Sequence, residues 1–236
     1  MAWRRRWRSC ARPNRSAGTR VVTEEMTRYY ARRAAEYERV YEIPAWQPAL
    51  AELRRRVPAF FAGRSVFEVA CGTGYWTAHV ATTALGVHAT DVNEETLALA
   101  RARPWPRGNV TFERRDAYAT SAAPPRCDAG FAAGWLSHVD LARMGEFLDA
   151  FHSHLVQGAA VMMFDERDHR NRPLPASRTD AAGNRYEART LASGERFEIV
   201  KNFFDAAALR DALGRRARDL VFEGLRGFWV ATWEVT

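Results

Sequence analysis

The chain has few of the features that mark membrane, metal-binding or disulfide-rich proteins. No apolar run in its 236 residues approaches the roughly 18 residues that span a bilayer. Its three cysteines, Cys10, Cys71 and Cys127, are widely spaced, so they form no metal-ligand pair and fit a reducing compartment. The sequence therefore predicts a cytoplasmic protein with no metal and no membrane partner, long enough for one α/β domain.

Acidic residues are missing from the first 22 residues, which hold seven arginines. The whole chain has 35 basic and 28 acidic residues, so this segment accounts for the entire net charge of +7. We expect residues 1–25 to form a basic disordered extension, because Met26 opens the recognisable domain. A transit peptide and an arm that binds nucleic acid are the alternatives.

The segment from Val66 to Thr77 is the most informative in the chain. A short apolar strand enters a turn that holds Gly72 and Gly74, and a helix follows. Glycine allows positive φ and close approach of a ligand, and the start of a helix presents free N–H groups. Glu68 lies within the apolar strand, which predicts either a polar network that holds the loop or a charged ligand beside it. The pattern indicates a nucleotide-like cofactor at the carboxyl edge of a parallel sheet.

A second predicted strand, residues 86–91, ends in the carboxylate of Asp91. Its distance from Gly74 is close to that at which a doubly wound fold places the acid that binds ribose hydroxyls. Asn93 is predicted to cap the next helix; Asp91 could instead be only a residue at that helix start. A dinucleotide is disfavoured, because the third small position of its fingerprint is Thr77, preceded by a bulky tyrosine and tryptophan.

Four segments together resemble a known family. Glu68–Gly74 (EVACGTG) resembles motif I of the class I S-adenosylmethionine-dependent methyltransferases, with Ala70 at the place of the first glycine. Asp91 resembles the acid that binds the ribose, residues 110–117 resemble the third strand with its adenine-binding carboxylate, and residues 127–134 resemble the fourth strand. The resemblance covers residues 26–236. It implies a doubly wound, mostly parallel seven-stranded sheet with an antiparallel last strand.

The resemblance also implies the cofactor, S-adenosylmethionine, and the residues that hold it. The implied cofactor-binding residues are Tyr37, Glu68, Ala70, Gly72, Gly74, Asp91, Val92, Asp116 and Ala117. It further implies an N-terminal helical lid and a hairpin insertion near residues 166–204, of the kind that covers a substrate. Arg189, Lys201 and Asn202 are polar residues that this hairpin could present, although a surface role fits each of them singly.

The acceptor side is predicted from the lid and from the loop after the fourth strand. Tyr29, Tyr30, Trp135 and Asp165 are the candidate substrate-binding residues, with core packing or turn capping as the alternative for each. Aromatic faces also attract an onium cation such as a sulfonium. His138 is the candidate catalytic residue, as a general base or as a group that orients the acceptor. An ordinary loop histidine is the alternative.

These features predict methyl transfer from S-adenosylmethionine to a small-molecule acceptor, at nitrogen or oxygen rather than carbon. The loop at residues 134–139 lacks the Asp/Asn-Pro-Pro-Tyr/Phe signature of family members that methylate nucleobase amines. A tRNA or rRNA methyltransferase that uses the arginine-rich segment, and a protein that binds the cofactor without catalysis, are the alternatives. The sequence leaves the acceptor and the oligomeric state open.

Overall fold

The computed structural model describes residues 17–123, 127–167 and 174–236, with side chains from residue 24 onward. Within these ranges the chain forms helices α1 (Ala17–Arg33), α2 (Gln47–Phe61), α3 (Tyr75–Ala81), α4 (Glu94–Arg101), α5 (Met144–His152) and α6 (Ala206–Leu213). Its strands are β1 (Ser65–Val69), β2 (Gly86–Asp91), β3 (Val110–Arg114), β4 (Cys127–Ala133), β5 (Leu155–Glu166), β6 (Arg178–Thr179), β7 (Arg185–Thr190), β8 (Arg196–Val200), β9 (Ala217–Leu225) and β10 (Phe228–Val235).

The central sheet has seven strands in the order β3-β2-β1-β4-β5-β10-β9. The pairs β2–β3, β1–β2, β1–β4 and β4–β5 are parallel, whereas β10 is antiparallel to both of its neighbours. The predicted mostly parallel sheet with an antiparallel last strand is therefore confirmed. Chain order reverses direction at β1, between β2 and β4, and ligands of open α/β sheets bind at such a switch point.

Both faces of the sheet are buried, and alternate residues of a strand point to opposite faces. In β4, Phe131 packs with α2, α3 and α4, whereas Ala132 packs with α5 and α6 on the other face. Met162 and Met163 of β5 divide in the same way. This two-sided burial explains why the central strands read as continuous apolar runs in the sequence.

A cover lies over the carboxyl ends of the parallel strands. It consists of α1, the 3-10 segment Ala34–Glu42 and a second sheet of three strands in the order β6-β7-β8. The Glu198 N–H of β8 donates to the Glu25 carboxylate of α1 at 2.9 Å, and the ring of Tyr29 packs against that of Phe197. Both a polar and an apolar contact therefore join the helix of the cover, α1, to its three-stranded sheet.

The first helix and the fifth strand both extend further than the sequence indicates. Helix α1 begins at Ala17, ahead of Met26, and the arginines at positions 4–15 lie outside the described residues. Strand β5 continues through Asp165 and Glu166, because both pair with β10, so these carboxylates lie within the strand and not after it. Among the described helices, none is both long enough and apolar enough to cross a membrane.

Candidate functional site

The loop after β1 adopts the left-handed backbone that its glycines favour. Gly72 has φ +56° and Gly74 has φ +77°, and Ala70 has φ +54° although it carries a Cβ. A Cβ on Gly72 would meet open space, whereas one on Gly74 would lie 3.2 Å from the Cβ of Ala100 in α4. Gly72 thus keeps the loop open to a ligand, and Gly74 allows α4 to pack closely.

Asp91, at the end of β2, joins this loop to the next one. Its Oδ2 accepts the Gly72 N–H at 2.9 Å, and its Oδ1 accepts the Asn93 N–H at 2.8 Å and the Thr96 hydroxyl at 3.2 Å. Burial raises the pKa of Asp91, although these bonds favour its charged form. Asn93 occupies the N-cap position of α4, as predicted, but its side chain makes no capping bond, and the Asn93 N–H and the Thr96 hydroxyl donate to Asp91 instead.

Asp116 and Ala117 follow β3 and complete this wall. The Asp116 Oδ1 accepts the Tyr118 N–H at 2.9 Å, which holds the carboxylate in a tight turn. Its Oδ2 accepts no hydrogen bond from the described residues, so it can receive a donor from a ligand.

A cleft lies at the switch point, between these loops and α1. The predicted residues that line it are Tyr30, Tyr37, Ala70, Gly72, Asp91, Val92, Asp116, Ala117, Trp135 and His138. Further lining residues, which the sequence analysis did not single out as ligand contacts, are Met26, Thr27, Asn93, Thr96, Arg115, Tyr118, Ala133 and Gly134. Gly134 has φ +66°, a conformation that glycine favours. A glycine directly after the fourth strand is the sequence signal that could have indicated this turn.

Four predicted residues do not line the cleft: Asp165, which lines the adjoining cavity described below, and Gly74, Tyr29 and Glu68. Gly74 packs under the loop, and Tyr29 is 3% exposed, accepting a hydrogen bond from Arg33 Nη1 at 2.9 Å. Glu68 is 1% exposed, and its Oε2 has no hydrogen-bond partner among the described residues. Burial raises the pKa of Glu68 to about 8, so the side chain is neutral at pH 7. Glu68 therefore lies in the floor of the site, within β1.

His138 and Tyr30 meet where the loop after β4 faces α1. The Nδ1 of His138 lies 2.7 Å from the carbonyl oxygen of Val200, which can only accept, so Nδ1 carries the proton. The Nε2 then accepts the Tyr30 hydroxyl at 2.8 Å. Burial, together with the nearby charge of Lys201, lowers the pKa of His138 to about 4. The imidazole is therefore neutral at pH 7, and burial raises the pKa of Tyr30, which stays a donor.

A second cavity, of about 400 Å³, adjoins the cleft. The two share Tyr30, Tyr37, Gly134 and His138. One wall of the second cavity is mainly aromatic, and its polar lining includes Asp165, which the sequence analysis had named as a substrate contact. Trp135 lines the cleft and not this cavity, and its buried Nε1 has no partner among the described residues.

Asp165 belongs to a buried polar network. Its Oδ2 accepts the Ser137 N–H at 2.9 Å, and its Oδ1 accepts the Glu166 N–H at 2.7 Å and lies 3.4 Å from Lys201 Nζ. Lys201 is 3% exposed and also donates to the Ser137 hydroxyl at 3.0 Å. The network fixes the loop that carries His138 against the end of β8.

A polar tie joins the cover to the glycine loop. Glu38, in the 3-10 segment, accepts the Thr73 hydroxyl at 2.6 Å and forms an ion pair with Arg103. The Arg103 Nε in turn donates to the Thr73 carbonyl at 2.7 Å. These contacts join the 3-10 segment of the cover to the loop after β1.

The residues of the cleft fit S-adenosylmethionine. Asp91 offers a buried carboxylate to sugar hydroxyls, Gly72 exposes bare backbone, and Asp116 keeps an acceptor oxygen for an amine. The rings of Tyr30 and Tyr37 lie 6.0 Å apart on the side of the cleft that opens to the second cavity, where aromatic faces favour a sulfonium.

Comparisons with known proteins agree with this geometry. A profile of the methyltransferase domain matches residues 66–158. The structure of DhpI with SAH is 31% identical, covers 91% of this chain and 97% of DhpI, and superposes with a TM-score of 0.74. The complex of DhpI with SAM and HEP is 30% identical, with 94% and 100% of the chains covered and a TM-score of 0.75.

A more distant structure has the same fold. The 1,6-didemethyltoxoflavin-N1-methyltransferase of Burkholderia thailandensis is 16% identical, covers 96% of this chain and 93% of its own, and has a TM-score of 0.62. A comparison with curated proteins finds no match. The DhpI likeness extends over nearly the whole of both chains, and the cleft has the donors and acceptors that the cofactor requires. The chain therefore belongs to the class I S-adenosylmethionine-dependent methyltransferases.

Proposed function

We propose that this methyltransferase acts on a small molecule, at a nitrogen or oxygen atom. The observation that carries the proposal is the second cavity, which meets the cofactor cleft at Tyr30, Tyr37, Gly134 and His138. Its size, about 400 Å³, falls within the usual range of small-molecule sites. The cover forms part of its wall, through Arg33 at the end of α1 and Arg189 in the three-stranded sheet.

The cleft and the second cavity have separate roles: the cleft binds the cofactor and the second cavity binds the acceptor. When bound, S-adenosylmethionine supplies a methyl group activated by its sulfonium. Asp91, Gly72 and Asp116 bind the nucleoside end, and the tie between Glu38 and the Thr73 hydroxyl keeps the cover closed over it. The protein contributes mainly orientation and exclusion of water, which for a two-reactant step can supply much of the barrier reduction.

His138 orients the acceptor more effectively than it removes a proton. Its Nδ1–H is fixed by the Val200 carbonyl, and its Nε2 holds the Tyr30 hydroxyl at the junction of the cleft and the second cavity. Because the pKa of His138 is about 4, the imidazole is a weak base at pH 7. We assign it the role of holding Tyr30 in a fixed position toward the acceptor. Asp165 supports this arrangement through the His138 loop.

The proposal is tested by incubating the full chain with S-adenosylmethionine and a panel of metabolites that includes amines, alcohols, phenols and organic acids. Matched reactions contain tRNA or rRNA. Formation of S-adenosylhomocysteine with a member of the metabolite panel, and none with RNA, is the expected result. Turnover with RNA that depends on residues 1–25 would instead make the enzyme an RNA methyltransferase. Binding of the cofactor with no turnover on any acceptor would favour a protein without catalysis.

A further inference from the structure

Three cationic side chains converge on the second cavity from different parts of the chain. Arg33 ends α1, Arg189 lies in β7 and Lys201 follows β8. Burial is the main cause of the lowered pKa of His138 at the junction with the cofactor cleft; of the nearby charges, Lys201 and Arg189 lower it and Asp165 raises it. The hydrogen bonds that these side chains already make decide which of them can still bind a ligand.

Arg189 retains an unused donor. Its Nη2 pairs with the Glu187 carboxylate at 2.6 Å, and Glu187 is 1% exposed. The Arg189 Nε is also buried, yet it has no hydrogen-bond partner among the described residues. An unsatisfied buried donor is destabilising. Glu187 thus holds the Arg189 side chain at the cavity wall, and the 18% of that side chain that is exposed is the part that a ligand can reach.

Arg33 has no carboxylate partner among the described residues. It donates to the Tyr29 hydroxyl at 2.9 Å, and its guanidinium carbon lies 5.7 Å from the ring centres of Tyr29 and Tyr37. These aromatic contacts position the guanidinium without neutralising its charge.

The carboxylates of the same wall are already engaged by donors. Asp165 accepts from two backbone N–H groups and from Lys201, and Glu166 lies 3.2 Å from Lys201 Nζ. Among these charged groups, Arg33 is the one without an ion-pair partner in the described part of the chain.

The other wall of the cavity is apolar and aromatic. The ring of Trp46 packs edge-on against Phe228 with centres 5.0 Å apart, and that of Trp76 packs against Phe164 at 4.9 Å. Tyr41 joins the Trp76 ring at 5.8 Å. A flat ring or a short apolar chain can lie against this surface with its water displaced.

We propose that the acceptor is an anionic small molecule with an apolar body. A carboxylate or phosphate-type oxyanion is received by Arg189 and Arg33, and the body lies against the aromatic wall. The inference rests on the proposed function and names the class of its acceptor. Planar guanidinium groups suit such oxyanions, because they donate two parallel hydrogen bonds.

Calorimetric titration of the protein saturated with S-adenosylhomocysteine tests the inference without any turnover. The probes are phenylacetate and phenyl phosphate as anions, phenylacetamide as the neutral counterpart and phenethylamine as the cation. At least one of the anions should bind about tenfold more tightly, or better, than the amide and the amine. The anion that binds more tightly identifies the type of oxyanion. Equal or tighter binding of the amide or the amine, or no binding of any probe, would overturn the inference.

Variants assign the effect to the two arginines. The double variant E187Q/R189Q removes the pair without leaving a buried charge, and R33Q removes the second guanidinium. Each variant should lower the affinity for the anion by about tenfold and leave the affinity for the amide unchanged. R178Q is the matched control, because Arg178 pairs with Glu198 on the same small sheet but does not line the cavity.

The two proposals fail in different ways. Unaltered anion affinity in both cavity variants would contradict the anionic class, while turnover on a neutral molecule would leave small-molecule methylation intact. Methylation of RNA alone would instead remove the proposed function itself.

Discussion

Glu68→Gln should stabilise the protein in neutral and alkaline solution. Glu68 is fully buried in β1, its Oε2 has no partner among the described residues, and burial raises its pKa from 4.5 to about 8. The folded state thus holds a proton that the unfolded chain releases. Glutamine has the shape of the protonated side chain and never ionises, so the variant removes this difference between the states.

The magnitude follows from proton linkage. Each pKa unit is worth about 1.4 kcal/mol, so at pH 7 the wild-type folded state is penalised by about 3 kcal/mol relative to its stability near pH 4. Because the folded pKa of Glu68 is raised, the wild type loses stability as pH rises from 4.5 to about 8, and the loss levels off above that pH. The variant should therefore exceed the wild type by up to about 3 kcal/mol at pH 7 and match it below pH 4.5.

Urea unfolding at pH values of about 5, 7 and 9 measures this difference directly. Histidine titrations cancel in the comparison, because both proteins carry the same histidines. Glu223→Gln is the control, since Glu223 is exposed and pairs with Arg56, and it should show no such pH-dependent gain. A Glu68→Gln protein that is less stable than the wild type at pH 7 by a similar margin would show that Glu68 is ionised and paired, which would refute the reasoning.

Four further predictions concern the site. Asp91→Asn keeps the side-chain shape but removes the charge, and calorimetry should find affinity for S-adenosylhomocysteine reduced by more than about tenfold. Tyr30→Phe and His138→Ala should each lower kcat by about tenfold and leave that affinity within about twofold, because both act on the acceptor side. Ala70→Gly should raise the free energy of unfolding by about 0.5–1 kcal/mol, because glycine relieves the positive φ. Glu38→Gln should speed dissociation of S-adenosylhomocysteine about threefold or more, measured by stopped-flow fluorescence, because it weakens the tie of the cover.

A control variant and specific contrary outcomes make these predictions testable. Asp211→Asn, at an exposed position in α6, should leave cofactor affinity unchanged, and equal affinity in Asp91→Asn would remove the sugar-binding assignment. Loss of cofactor affinity in Tyr30→Phe would place this tyrosine on the cofactor side. A destabilised Ala70→Gly protein would show that the backbone at this position is not strained. Unchanged dissociation in Glu38→Gln would mean that the cover is held elsewhere.

The fold and the cofactor cleft could be predicted because their signals are local. The glycine turn after β1 and the carboxylate that ends β2 each lie within a few residues of the strand that positions them. Their order along the chain then fixes their meeting at one edge of the sheet, since parallel strands share an edge. Asp91 shows this best: its bond to the Gly72 N–H joins two segments that the motif had already placed together.

The acceptor side could be predicted only in part, because it depends on how distant segments pack. The Tyr30 hydroxyl and His138 Nε2 are 108 positions apart in the chain and meet only through the cover. Arg189 was recognised as a polar residue of the hairpin, but its unpartnered Nε is a property of tertiary burial. Arg33 gave no signal, because a helical arginine ordinarily lies on a solvated surface.

Calorimetric titration of the purified wild-type chain with S-adenosylhomocysteine tests the central claim most directly. We expect saturable binding at one site per chain, centred where β1 and β2 end. No detectable binding of this nucleoside by correctly folded protein would show that the cleft is not a cofactor site.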